Sequence, residues 1–122
     1  LYTQVLDHDG NVLIDNSAPA THEAVKDSTA YLLTSAMQDV VSGGTGTRAK
    51  LSNMPTAGKT GSTNDYADIW FCGYTPYYTA GIWGGYDEPK EQYGTANWHT
   101  PIWKAIMERI HSGLEYKDFS VP

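Results

Sequence analysis

The stretch Ala57-Gly58-Lys59-Thr60-Gly61-Ser62-Thr63 gathers a cation, three hydroxyls and two glycines into seven residues. Gly-Lys-Thr is also how the phosphate-binding loop ends, where backbone N–H groups at a helix start cradle phosphate oxygens. That motif needs a glycine five residues before Gly58, and the position holds Asn53. It also needs a helix to open at Lys59-Thr60, whereas Gly61, Asn64 and Asp65 follow and then a strand-like run. The phosphate reading fails on both counts. As an extended strand, the stretch suits different chemistry. Alternate side chains share a face, so Thr60 and Ser62 present their hydroxyls together while Lys59 lies opposite. Paired hydroxyls can hydrogen-bond a carboxylate, and the lysine supplies positive potential and a proton-relay partner. Gly61 leaves room for a substrate along the strand, and the Ser62 N–H can donate to a developing oxyanion. Taken alone, Lys59-Thr60-Gly61 suits a solvated strand end equally well.

The elements that must hold this strand follow from hydrophobic period and turn residues. Residues 1–15 read as a hairpin, with Val5-Leu6 and Val12-Leu13-Ile14 flanking an Asp9-Gly10 turn. Residues 16–21, with Pro19, form a loop. Ala30, Leu33, Met37, Val40 and Val41 recur at spacings of three and four, which predicts a helix over 27–43 with that stripe facing the core. Asp27 or Ser28 is the expected cap, and Gly43-Gly44 the stop. A polar connection over 45–53 leads to three strands within 56–86, at 56–62, 69–75 and 79–86; the second and third are antiparallel neighbours. Residues 87–96 read as a polar loop. Thr100 as cap and Pro101 at the first helical position open a terminal helix over 100–112, with Ile102, Ile106 and Ile110 on one face and Trp103 and Met107 beside it. The sum is an α+β fold, an antiparallel sheet with flanking helices, forming one domain or part of one over residues 1–122.

Composition narrows the partners. Hydrophobic residues make up 40% and charged residues 18%, ordinary for a globular chain, and the net charge of -6 disfavours nucleic acid. No apolar run reaches the roughly 20 residues that span a bilayer, and no targeting segment is visible. The single Cys72 rules out an internal disulfide and reads as a buried small hydrophobe. His8, His22, His99 and His111 lack metal-like spacing and read as solvated or capping residues, so neither a metal nor a cofactor is expected. Asp65, Asp68 and Asp87 suit turns and a strand end better than acid–base work. Four tryptophans and nine tyrosines suit a packed sheet, and also leave open a non-catalytic cell-wall or carbohydrate-binding module.

The surroundings of Lys59 carry more. Four segments in unbroken order resemble the class A, bifunctional penicillin-binding proteins, in the later part of their transpeptidase domain. They are Val40-Val41-Ser42-Gly43-Gly44-Thr45-Gly46-Thr47, Ala57 to Asp65, Asp68-Ile69-Trp70-Phe71-Cys72-Gly73-Tyr74-Thr75-Pro76, and Gly81-Ile82-Trp83-Gly84-Gly85-Tyr86-Asp87. The resemblance implies an incomplete part of the penicillin-binding/β-lactamase-like fold. It also implies a serine-type D,D-transpeptidase that cross-links peptidoglycan stem peptides ending in D-Ala-D-Ala and is acylated by β-lactams. The parent protein would be membrane-anchored, at the outer face of the bacterial cytoplasmic membrane. Carried over by position, Lys59 joins the catalytic hydrogen-bond network, the Ser62 N–H is an oxyanion donor, and Thr60, Gly61, Ser62 and Thr63 bind substrate. The family nucleophile lies in Ser-x-x-Lys, and no serine here has a lysine three residues on. Ser62-Thr63-Asn64 matches the second family motif, Ser-x-Asn, only nominally, because it overlaps the strand it should face across a cleft. Both motifs are expected upstream in the same protein, so this chain supplies half of a site.

Overall fold

The computed structural model describes residues 2–92 and 97–122, so residues 93–96 of the expected 87–96 loop lie outside the described residues. The order is a hairpin of β1 (Gln4–Leu6) and β2 (Val12–Asp15), α1 (Asp27–Ser42), β3 (Ala57–Ser62), β4 (Ile69–Tyr74), β5 (Thr79–Gly84) and α2 (His99–Ile110). β3, β4 and β5 form an antiparallel sheet in chain order, with β4 central.

The hairpin pairs only with itself, and its strands are exposed throughout. Asp7 organises its turn: Oδ1 accepts from the N–H groups of Asp9 (2.9 Å) and Asn11 (2.8 Å), and Oδ2 from Asn11 Nδ2 (2.9 Å). Asn11's side-chain and then backbone hydrogen bonds favour the charged form and hold the Asp7 carboxyl below its usual range. Gly10 takes the left-handed conformation (φ 87°) that completes the turn.

The sheet has one covered face and one open face. Register places Gly58, Thr60, Ser62, Ile69, Phe71, Gly73, Ala80 and Ile82 on one side. The core gathers there: Phe71 packs with Val41 of α1, Ala49, Leu51 and Met54 of the connection, and Trp103 and Met107 of α2. Phe71 meets Trp103 edge to face, ring centroids 5.0 Å apart at 80°, and Trp103 Nε1 donates to the Ala80 carbonyl at 2.9 Å. A Cβ on Gly58 would lie 2.6 Å from Phe71 Cζ, and one on Gly73 2.7 Å from the same ring. Gly58, which imitated a phosphate-loop glycine, is therefore a packing glycine.

The opposite face presents Lys59, Gly61, Trp70, Cys72, Gly81 and Trp83 to solvent, with each tryptophan 45% exposed. Cys72 is thus exposed, against the expectation of burial: along β4 it alternates with the buried Phe71 and Gly73, on the side away from the core.

Both helices depart from their expected details. Lys26, extended at φ -61° and ψ 141°, occupies the cap position of α1, and no side chain, neither Asp27 nor Ser28, caps it. Of the predicted stripe, Val41 is buried and Met37 and Val40 are half-buried, while Leu33 is exposed, because α1 meets the sheet along the edge strand β3. α2 begins one residue before Thr100, with Trp98 at the cap position and no side-chain cap; Thr100 Oγ1 donates back to the Asn97 carbonyl at 3.3 Å. α2 buries Trp103 and Met107 and leaves Ile102, Ile106 and Ile110 exposed, so the expected isoleucine face points outward.

The α1–sheet contact includes a polar clasp. Tyr74 Oη and Thr34 Oγ1 hydrogen-bond at 2.9 Å, part-buried. Tyr74→Phe should lower unfolding free energy by about 1 kcal/mol. Urea titration of Tyr74→Phe, Thr34→Ala and the double variant checks it: a coupling energy near zero would show that the clasp contributes nothing.

Candidate active site

The motif strand is positioned from both sides of its backbone. β4 fixes its register, with Lys59 opposite Cys72, Thr60 opposite Phe71 and Ser62 opposite Ile69. On the other side stands the turn that ends α1. The N–H groups of Gly44 (3.1 Å) and Gly46 (3.0 Å) both donate to the Val40 carbonyl, which sets Thr45 beside the strand. Thr45 Oγ1 and Thr60 Oγ1 then hydrogen-bond at 2.7 Å.

Around this pair lies a cavity of about 500 Å³, lined by Thr45, Lys59, Thr60, Gly61, Ser62, Tyr66, Ile69, Asn97 and His99. Four of the five site residues expected from sequence therefore line one cavity, which reaches both faces of the edge strand. Thr63 is not among them. Its Oγ1 accepts from the Asp68 N–H at 2.9 Å and its N–H donates to the Asp68 carbonyl at 3.0 Å, so it closes the turn after β3. That turn holds Asp65 (φ 58°) and Tyr66 (φ 52°) in the left-handed region, a strained geometry for tyrosine, and places Tyr66 at the cavity mouth. Asp68 leaves the site altogether, accepting from Trp83 Nε1 at 3.0 Å.

The strand's own geometry fits an extended ligand. A Cβ at Gly61 would meet only Trp70 Cβ, at an ordinary 3.6 Å, so packing does not demand glycine there. Lys59 is exposed, and Nζ donates to the Thr60 carbonyl at 2.8 Å. Among the described residues no Asp or Glu lines the cavity, whereas Lys59 does, and Arg48 Nη1 donates to the Asn97 carbonyl at 3.4 Å on its rim. Hydroxyl donors in a positive, carboxylate-free cavity suit an anionic ligand.

Sequence reasoning missed His99. Instead of a solvated residue, it is a buried one at the start of α2, 3% exposed, and it meets Trp98 edge to face at 6.2 Å. Burial holds its imidazole below the ordinary histidine range, with the Trp70 backbone weakly opposing. His111 is also buried: Nδ1 meets the Met107 carbonyl and Nε2 meets Thr75 Oγ1, both at 2.7 Å, a structural role that ties α2 to the end of β4. Nothing in local periodicity separates His99 from His111; their partners are set by tertiary placement.

Comparison with known proteins agrees with the geometry. The profile of the penicillin binding protein transpeptidase domain matches residues 3–108. Penicillin-binding protein 1A of Clostridium perfringens (strain ATCC 13124) is 42% identical over 123 residues, covering 100% of this chain and 15% of that protein. Its counterpart in Clostridium acetobutylicum is 39% identical, again over 100% of this chain and 15% of the relative. That of Pseudomonas aeruginosa is 44% identical over 95 residues, covering 73% of this chain and 11% of the relative. The crystal structure of Penicillin-Binding Protein 1A from Haemophilus influenzae superposes with a TM-score of 0.63 at 18% identity, covering 98% of this chain and 24% of that one, a likeness of fold. The chain thus spans about 15% of the length of the clostridial relatives. With its antiparallel sheet, its flanking helices and this match along most of its length, the chain belongs to the penicillin-binding protein transpeptidase domain family.

Proposed function

We propose that the protein carrying this chain is a serine-type D,D-transpeptidase of peptidoglycan. The cavity described here is the half of its active site that receives the carboxylate end of the donor stem peptide or of a β-lactam. The observation that carries this reading is the shared cavity of Thr45, Lys59, Thr60, Gly61 and Ser62, on the Lys-Thr-Gly strand of a chain in this family.

Each residue has a role in such a reaction. The nucleophilic serine, in a Ser-x-x-Lys motif elsewhere in the protein, attacks the D-alanyl-D-alanine carbonyl and releases D-alanine. An acceptor amine then attacks the acyl-enzyme, forming the cross-link and freeing the serine. Thr60 and Ser62 hydroxyls bind the carboxylate, with Thr45 holding the Thr60 hydroxyl in place. Lys59 supplies positive potential and relays protons at the nucleophile, and the Ser62 N–H donates to the oxyanion. A substrate of this kind places the site outside the cytoplasmic membrane, on a membrane-anchored protein. Among the described residues no helix is long and apolar enough to cross a membrane.

The test is acylation of the full-length protein by labelled benzylpenicillin. Wild type should form a covalent adduct that mass spectrometry places on a Ser-x-x-Lys serine. Thr60→Val, which keeps shape and loses the hydroxyl, should slow adduct formation about tenfold, the usual worth of one hydrogen bond to a charged group. A wild-type protein that takes no label would sink the reading.

A further inference from the structure

The neutral imidazole of His99 is an anomaly in an otherwise well-paired structure. It is 3% exposed, and among the described residues neither Nδ1 nor Nε2 makes a hydrogen bond of good geometry; the Trp70 backbone, which weakly favours the charged ring, falls short of one. Leaving such atoms unpaired costs about 1–3 kcal/mol per group, so a sequence that keeps them needs a reason. An apolar side chain of similar size would avoid the cost. His99 lines the cavity shared with Thr60 and Ser62, with both ring nitrogens covered in the free chain, and the N-terminal end of the twelve-residue α2 opens there through Asn97 and His99. A helix start favours negative charge and opposes a cation, which agrees with a neutral ring and an anionic occupant.

We propose that His99 is a third carboxylate-recognition residue of the site. As the ligand enters, the ring turns its N–H towards the substrate or drug carboxylate seated on Thr60 and Ser62, and so gains the partner it lacks in the free chain. This rests on the function proposed above and assigns the role to α2, a helix outside the motif strand. A neutral imidazole has one N–H to give, and a carboxylate accepts it without any proton transfer. Because the imidazole itself is buried, such a bond gains strength from the low local dielectric. Among the described residues, the titratable and charged groups that face this wall are Lys59 on β3 and Tyr66 in the turn after it, with Arg48 at the rim through Asn97. Lys59 and Arg48 are donors only and cannot accept the His99 N–H at neutral pH.

The experiment compares benzylpenicillin with its methyl ester on the full-length protein. His99→Phe should lower the second-order acylation rate for the acid about tenfold, as for loss of one hydrogen bond to a charged group, and leave the ester within about twofold. Because an unpaired polar group has been removed, the variant's Tm should be equal to or above that of wild type, and His99→Gln, which keeps a donor, should retain most of the acid-over-ester preference. A purely structural histidine would instead lower Tm and slow both ligands alike. Equal slowing of acid and ester, or an unchanged acid rate, would overturn the proposal. If His99→Phe fails to fold, the histidine is structural and the proposal also falls. Wild-type protein that is not acylated at all would overturn the function itself, so the two failures are distinguishable.

Discussion

Lys59→Ala in the full-length protein is expected to slow β-lactam acylation about a hundredfold or more, the usual cost of removing one electrostatic element from a reacting centre. Lys59 is exposed in this chain, and its ammonium rests on the Thr60 carbonyl, the backbone of the strand it must serve. That contact is with its own neighbour, so it carries little stability, and the side chain is free to turn towards a partner that faces the cavity. The variant should therefore fold normally, with the loss confined to the acylation rate. Lys59→Arg keeps the charge but not the proton-relay ability, since guanidinium does not deprotonate, and should remain well below wild type. A rate within about twofold of wild type for Lys59→Ala, worth only a few tenths of a kcal/mol, would show that Lys59 has no part in the transition state.

The second large effect concerns the 122-residue chain by itself. It should take no penicillin label at any concentration, because none of its serines has the lysine three residues on that activates the family nucleophile. An adduct seen by mass spectrometry would refute this. The same polypeptide should also self-associate. Trp70, Cys72 and Trp83 on one sheet face, and Ile102, Ile106 and Ile110 along α2, give it two apolar surfaces without cover. Uncovered apolar surfaces of this kind are where chains associate. A monodisperse monomer in sedimentation, melting cooperatively, would show that the core around Phe71 and Trp103 suffices alone.

Much of this was legible in the residues. Strand period and turn chemistry read the hairpin around Asp9-Gly10 and the sheet strands, because an alternating, β-branched and aromatic run has few other ways to satisfy its backbone. Lys59, Thr60, Gly61 and Ser62 stood out because their side chains do not suit a core. What escaped was set by distant contacts. The caps at Asp27 and Thr100 failed because helix starts depend on how the preceding chain enters, and both α1 and α2 use an extended or turning residue without a capping oxygen. Cys72 has the composition of a core residue, yet the parity of its strand position turns it outward. The isoleucine stripe of α2 is a real periodicity that faces outward, since Trp103 and Met107 take the places against Phe71. His99 gave no local sign at all. Only the fold brings the start of α2 against Ile69 and the motif strand.

The sheet's chain-order pairing bears on how the site comes into being. β3, β4 and β5 join through residues 63–68 and 75–78 alone, so every ladder contact closes a short loop and costs little chain entropy. Contacts of such small sequence separation form fast. During synthesis α1 emerges first, and the strand bearing Lys59 can zip onto β4 as soon as that segment follows. The core ring of Phe71 then waits, covered on one side only, until α2 arrives with Trp103 and seals it. The cavity wall is therefore expected to assemble in two instalments: the hydroxyls of Thr45 and Thr60 early, and His99 last, delivered by the helix that closes the core.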